Sequence, residues 1–134
     1  QLREVLPARP DVVNFADDLG MQHALTVSPA MWRRFVKPGY ARLFRICREA
    51  GAHVYLHSDG YWVDIMDDLR EIGVTIENPQ DLVNGLDTIR AKLKGKVCID
   101  LDIDRQAVHC LAHASLPFML RPPDGPGCPA TVAP

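Results

Sequence analysis

With 134 residues, 47% of them hydrophobic and 24% charged, the chain has the size and composition of one soluble globular domain rather than a disordered segment. A net charge of −2 gives no general drive toward nucleic acid or an anionic membrane; no apolar run reaches the length of a bilayer span, and QLREVLPARP lacks the apolar core of a signal peptide. Cys47, Cys98, Cys110 and Cys128 form no CxxC pair, which excludes a zinc ribbon, and four cysteines in this length are no disulfide scaffold, so a reducing cytoplasm is expected.

In chain order, DVVNFA (11–16) reads as a first strand, followed by the acidic DDLG. Ser28 can then cap a helix that has Pro29 at its first position. Trp32, Phe35, Val36, Tyr40, Leu43 and Cys47 recur at helical spacing, Pro38 should kink or split the helix, and Gly51 stops it. HVYLH (53–57) is a second strand. The helix that follows places Trp62, Ile65, Leu69 and Ile72 on one face and ends at Gly73. VTIEN (74–78) is a third strand, LDTIRAKLKG a short helix with Leu86, Ile89 and Leu93 inward, and VCIDLDI (97–103) a fourth strand. On that last strand Val97, Ile99, Leu101 and Ile103 share one face, and Cys98, Asp100, Asp102 and Asp104 the other. Three carboxylates on one face repel one another unless they meet cations or water.

Strands alternating with helices imply right-handed βαβ crossovers and a parallel sheet. Each strand ends in polar residues: Asp17 and Asp18, then His57 and Asp59, then Glu77 and Asn78, then Asp102, Asp104 and Arg105. In a parallel α/β fold these ends lie on one edge, where ligands bind in barrels and open sheets alike. From Ala107 onward helical periodicity stops. That segment holds six of the eleven prolines and neither Lys nor Glu, so residues 107–134 are expected to be an irregular tail, either disordered or out of frame with the fold. His109, Cys110 and His113 fall in it, at a spacing that fits no standard zinc motif.

The segments DDLGMQHALTVSPAMWRRFVKP, VYLHSDGY, IGVTIENPQ and CIDLDIDRQ, in this order and spacing, resemble the uroporphyrinogen decarboxylase superfamily over about residues 11–106. That superfamily includes true uroporphyrinogen decarboxylases and corrinoid-dependent methyltransferases. The resemblance implies a TIM (β/α)8 barrel, of which residues 1–106 would be the C-terminal half, about four βα units. A full barrel takes about 250 residues, and half of one leaves two edges open and its inner face uncovered. Such a chain must pair with another copy through those edges, collapse differently or stay partly unfolded.

In the methyltransferase branch a His-x-Cys pair at this strand end binds zinc with a later cysteine. His57 matches the histidine, and Asp59 stands where the cysteine would be. Zinc accepts carboxylate oxygen, so His57 and Asp59, with Glu77 as a further ligand, are the expected metal set. His57 could equally act as a general acid or base. The plain alternatives are a hydrogen-bonded surface histidine, a turn aspartate before Gly60 and an edge-exposed glutamate. Gly60 itself is expected to supply backbone freedom and no chemistry. Asp18, at a position the superfamily often keeps acidic, is the candidate proton donor, ahead of Asp17. Asp104, Arg105 and Gln106 match the family's strand-end motif, and Arg105 could grip a substrate carboxylate bidentately; a surface ion pair is the plain alternative.

The functional expectation is therefore metal-assisted methyl transfer from a corrinoid to a thiol, with zinc as cofactor and a small-molecule substrate or corrinoid protein as partner. The runner-up is metal-free decarboxylation of tetrapyrrole acetate side chains. The third reading is a non-catalytic fragment or assembly module. An open flavodoxin-like sheet ranks last, because no glycine-rich phosphate loop follows the first strand.

Overall fold

The computed structural model describes residues 2–101. Asp102, Asp104, Arg105, Gln106 and the expected tail, with His109, Cys110, His113 and Cys128, lie outside the described residues.

A short helix α1 (Leu2–Val5) leads into β1 (Val12–Asp17). Helices α2 (Pro29–Met31) and α3 (Lys37–Glu49), β2 (His53–Ser58), α4 (Met66–Glu71), β3 (Ile76–Pro79), α5 (Asp81–Asn84), α6 (Leu86–Leu93) and β4 (Cys98–Ile99) follow. The strands form one all-parallel sheet in the order β1-β2-β3-β4. Every crossover advances the same way, so there is no topological switch point among the described strands. All four expected strands are present, with the fourth shortened to Cys98–Ile99 among the described residues. The short helix α5 is additional to the elements the sequence suggests.

Register assigns the two faces. Phe15, Leu56, Glu77 and Ile99 align across the sheet, and so do Ala16, His57 and Asn78 one residue further on. Side chains alternate, so these two rows point to opposite faces. The first row faces the helices. Val54, Leu56 and Ser58 are buried there in a core with Phe44, Cys47, Trp62, Ile65, Met66, Leu69, Ile89 and Leu93. On the other face Asn14, Ala16 and His53 are exposed, and Tyr55 and His57 are half-buried.

The Ser28 cap forms, its hydroxyl accepting from the Met31 N–H at 3.3 Å, and Pro29 takes the first helical position. Pro38 has no N–H for the carbonyl of Arg34 and crowds it. The chain answers with a π-helical turn at Trp32–Val36, where the Lys37 N–H donates to the Trp32 carbonyl five residues back. That wider turn shifts the buried stripe to Trp32, Val36, Tyr40, Phe44 and Cys47. Two residues of the apolar repeat lie outside it: Phe35 is 64% exposed and Leu43 40%. Leu86, expected inward, is exposed at the first position of α6, while Ile89 and Leu93 are buried as expected.

Ion pairs fasten the helices to one another. Asp68 accepts from Arg33 at 2.9 Å and Lys37 at 2.7 Å, and Lys37 also reaches Glu71 at 2.8 Å. Lys92 of α6 reaches Asp67 of α4 at 2.7 Å, and Arg70 donates to the same carboxylate. Among the described residues no helix is long and apolar enough to cross a membrane.

Candidate functional site

His57 leaves the sheet at the C-terminal end of β2, beside Asn78 of β3 and on the face away from the helices. Its Nδ1 is hydrogen-bonded to Asn78 Oδ1. Asn78 is almost fully buried, and its Nδ2 donates to the Asp100 carbonyl at 2.8 Å. A carbonyl can only accept, so that bond fixes which end of the amide meets His57. The Nε2 of the imidazole lies 3.4 Å from Asp59 Oδ1, with the two side chains 29% and 54% exposed. Gln80 Nε2 donates to the same Asp59 oxygen at 2.7 Å, and Gln80 Oε1 accepts from the Gly60 N–H at 2.9 Å.

The turn that carries Asp59 is built tightly. The Ser58 hydroxyl accepts from the Leu19 N–H at 3.0 Å and donates to the Asp59 carbonyl at 2.9 Å, and the Trp62 indole caps the Ser58 carbonyl at 3.1 Å. Buried Asn84 accepts from the Trp62 N–H at 3.0 Å and donates to the Gly60 carbonyl at 2.9 Å. Gly60 has φ +77°, and a Cβ there would sit 2.2 Å from the Gly20 carbonyl oxygen. The loop after β1 and the HSDG turn therefore touch backbone to backbone, joined by the Tyr61 N–H to the Met21 carbonyl at 2.7 Å. Gly60 supplies backbone conformation, as expected, and also a close approach to Gly20 that a side chain would block.

The anticipated site residues do not all converge. His57 and Asp59 meet, as the sequence suggests. Glu77 does not join them: it sits in register with Leu56, fully buried on the helix side, because strand alternation turns it away from the face of His57. Neither of its carboxylate oxygens has a hydrogen-bond partner among the described residues. Burial pushes its pKa up to about 8, against the pull of Arg70 and with a small push from Asp67. Asp18 is exposed in the loop after β1 and takes no part in the hydrogen bonds around His57. Asp17 accepts from the Tyr40 hydroxyl, and burial together with that carboxylate raises the Tyr40 pKa. Asp104, Arg105 and Gln106 fall outside the described residues.

Asn78 and Gln80, which organise the site, have no role assigned by the sequence reading. Asn78 stands out there only as a polar strand ending. Its partnership with His57 depends on the β2–β3 register, which one strand alone does not reveal.

Chemically, the pair offers one imidazole nitrogen and one carboxylate at the strand-end edge. That suits proton transfer at Nε2 or a share in holding a cation. Among the described residues no group of three or more His, Cys, Asp and Glu side chains gathers as a metal site. No family model, curated protein or solved structure matches the chain.

Proposed function

We propose that this strand-end edge is the active-site mouth of an enzyme of the uroporphyrinogen decarboxylase type, leaning to metal-assisted methyl transfer from a corrinoid to a thiol. The observation that carries the reading is the oriented His57–Asp59 pair at the C-terminal edge of a parallel sheet whose order never reverses. Sequential order is what a (β/α)8 barrel repeats, and open nucleotide-binding sheets reverse at a switch point. The partners in this reading are a small-molecule thiol, a corrinoid protein and a second copy of the chain along the open sheet edges. The expected setting is cytoplasmic.

His57 and Asp59 are two donors of the kind zinc takes, one fewer than the three protein ligands of a catalytic zinc site. The second nitrogen of His57 is tied to Asn78, as second-neighbour groups commonly tie metal-binding imidazoles, and Nε2 is turned toward Asp59. His57 and Asp59 would hold the ion, without Glu77. When bound, it would supply the Lewis acidity that lowers the pKa of a thiol acceptor toward the nucleophilic thiolate. Gln80 keeps Asp59 at the edge, and Asn78 keeps the ring from turning.

The test is titration of zinc and cobalt(II) into the folded chain beside His57→Ala, with circular dichroism as the fold control. About one equivalent bound, and lost in the variant, is the expected result. A folded chain that binds neither metal overturns the metal-assisted reading. It would leave metal-free decarboxylation of tetrapyrrole acetate groups, or an assembly module, as the better account.

A further inference from the structure

The proton on His57 is assigned by its neighbours. Asn78 Nδ2 is committed to the Asp100 carbonyl at 2.8 Å, so the amide presents its oxygen to His57. That oxygen has no proton to give, so the hydrogen between the two residues belongs to the ring, on Nδ1. In the neutral imidazole Nε2 then carries a lone pair and no hydrogen. It faces Asp59 Oδ1 at 3.4 Å, an atom that already accepts from Gln80 at 2.7 Å. Two acceptors aimed at each other repel unless a proton or a cation lies between them. The surroundings thus hold ready the one nitrogen that can receive a proton or a metal, and they place a carboxylate beside it.

We infer that Asn78 is a positioning residue that locks His57 in the Nδ1–H tautomer, and that Gln80 holds Asp59 against the nitrogen so freed. The chemical use of the lock rests on the function proposed above; the tautomer itself does not. Asn78 touches neither metal nor substrate in this account and acts only through His57.

The experiment is long-range proton–nitrogen NMR on the 15N-labelled full chain, at a pH where the ring of His57 is neutral. The His57 signals are identified by their loss in His57→Gln. The wild type is expected to show Nδ1 protonated and Nε2 bare. Asn78→Asp, whose carboxylate also accepts from Nδ1, is expected to keep that pattern, and Asn78→Leu to lose it for the Nε2–H form. An Nε2–H ring in the wild type overturns the inference without any variant, and so does an unchanged Nδ1–H ring in folded Asn78→Leu. Zinc titration of the same samples separates the two ideas. Asn78→Leu is expected to lose about 10–100-fold in affinity, as loss of a partner behind a metal-bound imidazole commonly costs, while Asn78→Asp retains it. A locked tautomer in a chain that binds no zinc sinks the metal reading and leaves the lock. Zinc binding with an Nε2–H ring does the reverse.

Discussion

Glu77 takes a carboxyl into the helix-side core, where its pKa lies at about 8 against an ordinary 4.5, chiefly because burial penalises the charge. Between those two values the unfolded chain has released a proton that the folded chain still holds. As far as Glu77 decides it, stability is therefore full below about pH 4.5, falls as pH rises toward 8 and levels off beyond. At about 1.4 kcal/mol per pH unit the swing is bounded at roughly 5 kcal/mol. Urea unfolding across this range should show that loss in the wild type and a flatter profile in Glu77→Gln; equal slopes in both would refute the assignment. Asp68 behaves oppositely. Burial works against its charge, but Arg33 and Lys37 hold its carboxyl below the usual range. Its contribution is present at neutral pH and is lost as acid protonates it. Asp68→Asn should cost about 2 kcal/mol at pH 7, with the difference from wild type shrinking below about pH 4 in the same unfolding assay.

At the scale of elements, two glycines behave differently for local reasons. Gly60 combines a positive φ with a backbone contact to Gly20 that leaves no room for a methyl group. Gly60→Ala should destabilise by more than about 2 kcal/mol and part Asp59 from His57, seen as a lower melting temperature and shifted His57 resonances. Gly39 lies in α3, and nothing stands within 4 Å of a Cβ built there. Gly39→Ala should raise stability by about 0.5–1 kcal/mol, and a loss would mean that this helix surface is covered in solution. The π-helical turn ahead of Gly39 belongs to the same scale: a proline two residues past it sets which side chains of the helix are buried.

For the molecule as a whole, β1 and β4 are the outer strands of the sheet among the described residues, and its face away from the helices carries half-buried Tyr55 and His57 beside exposed Asn14 and Ala16. Unpaired parallel edges invite pairing with another chain. The expected outcome in sedimentation equilibrium is self-association that weakens in Asn14→Pro, since proline on β1 removes a ladder donor. A monodisperse monomer that melts cooperatively would refute it. The described cysteines, Cys47 and Cys98, are both free thiols, with burial pushing the Cys47 thiol up.

The sequence by itself determined the alternation of strands and helices, the Ser28–Pro29 start and the stop glycines. These follow from local periodicity, capping and backbone freedom, which a linear chain displays. It also singled out His57 and Asp59, because a histidine and an aspartate that end an apolar strand stand out without any partner in view. The tertiary structure decided what depends on register and on neighbours distant in sequence. It turned Glu77 to the helix side, away from the metal set, because adjacent strand residues face opposite ways and only pairing fixes which way. It exposed Phe35 and Leu43 through a π-helical turn that a 3.6-residue period does not contain. And it gave Asn78 and Gln80 to the site, since a hydrogen bond spanning 21 residues exists only once β2 and β3 lie side by side.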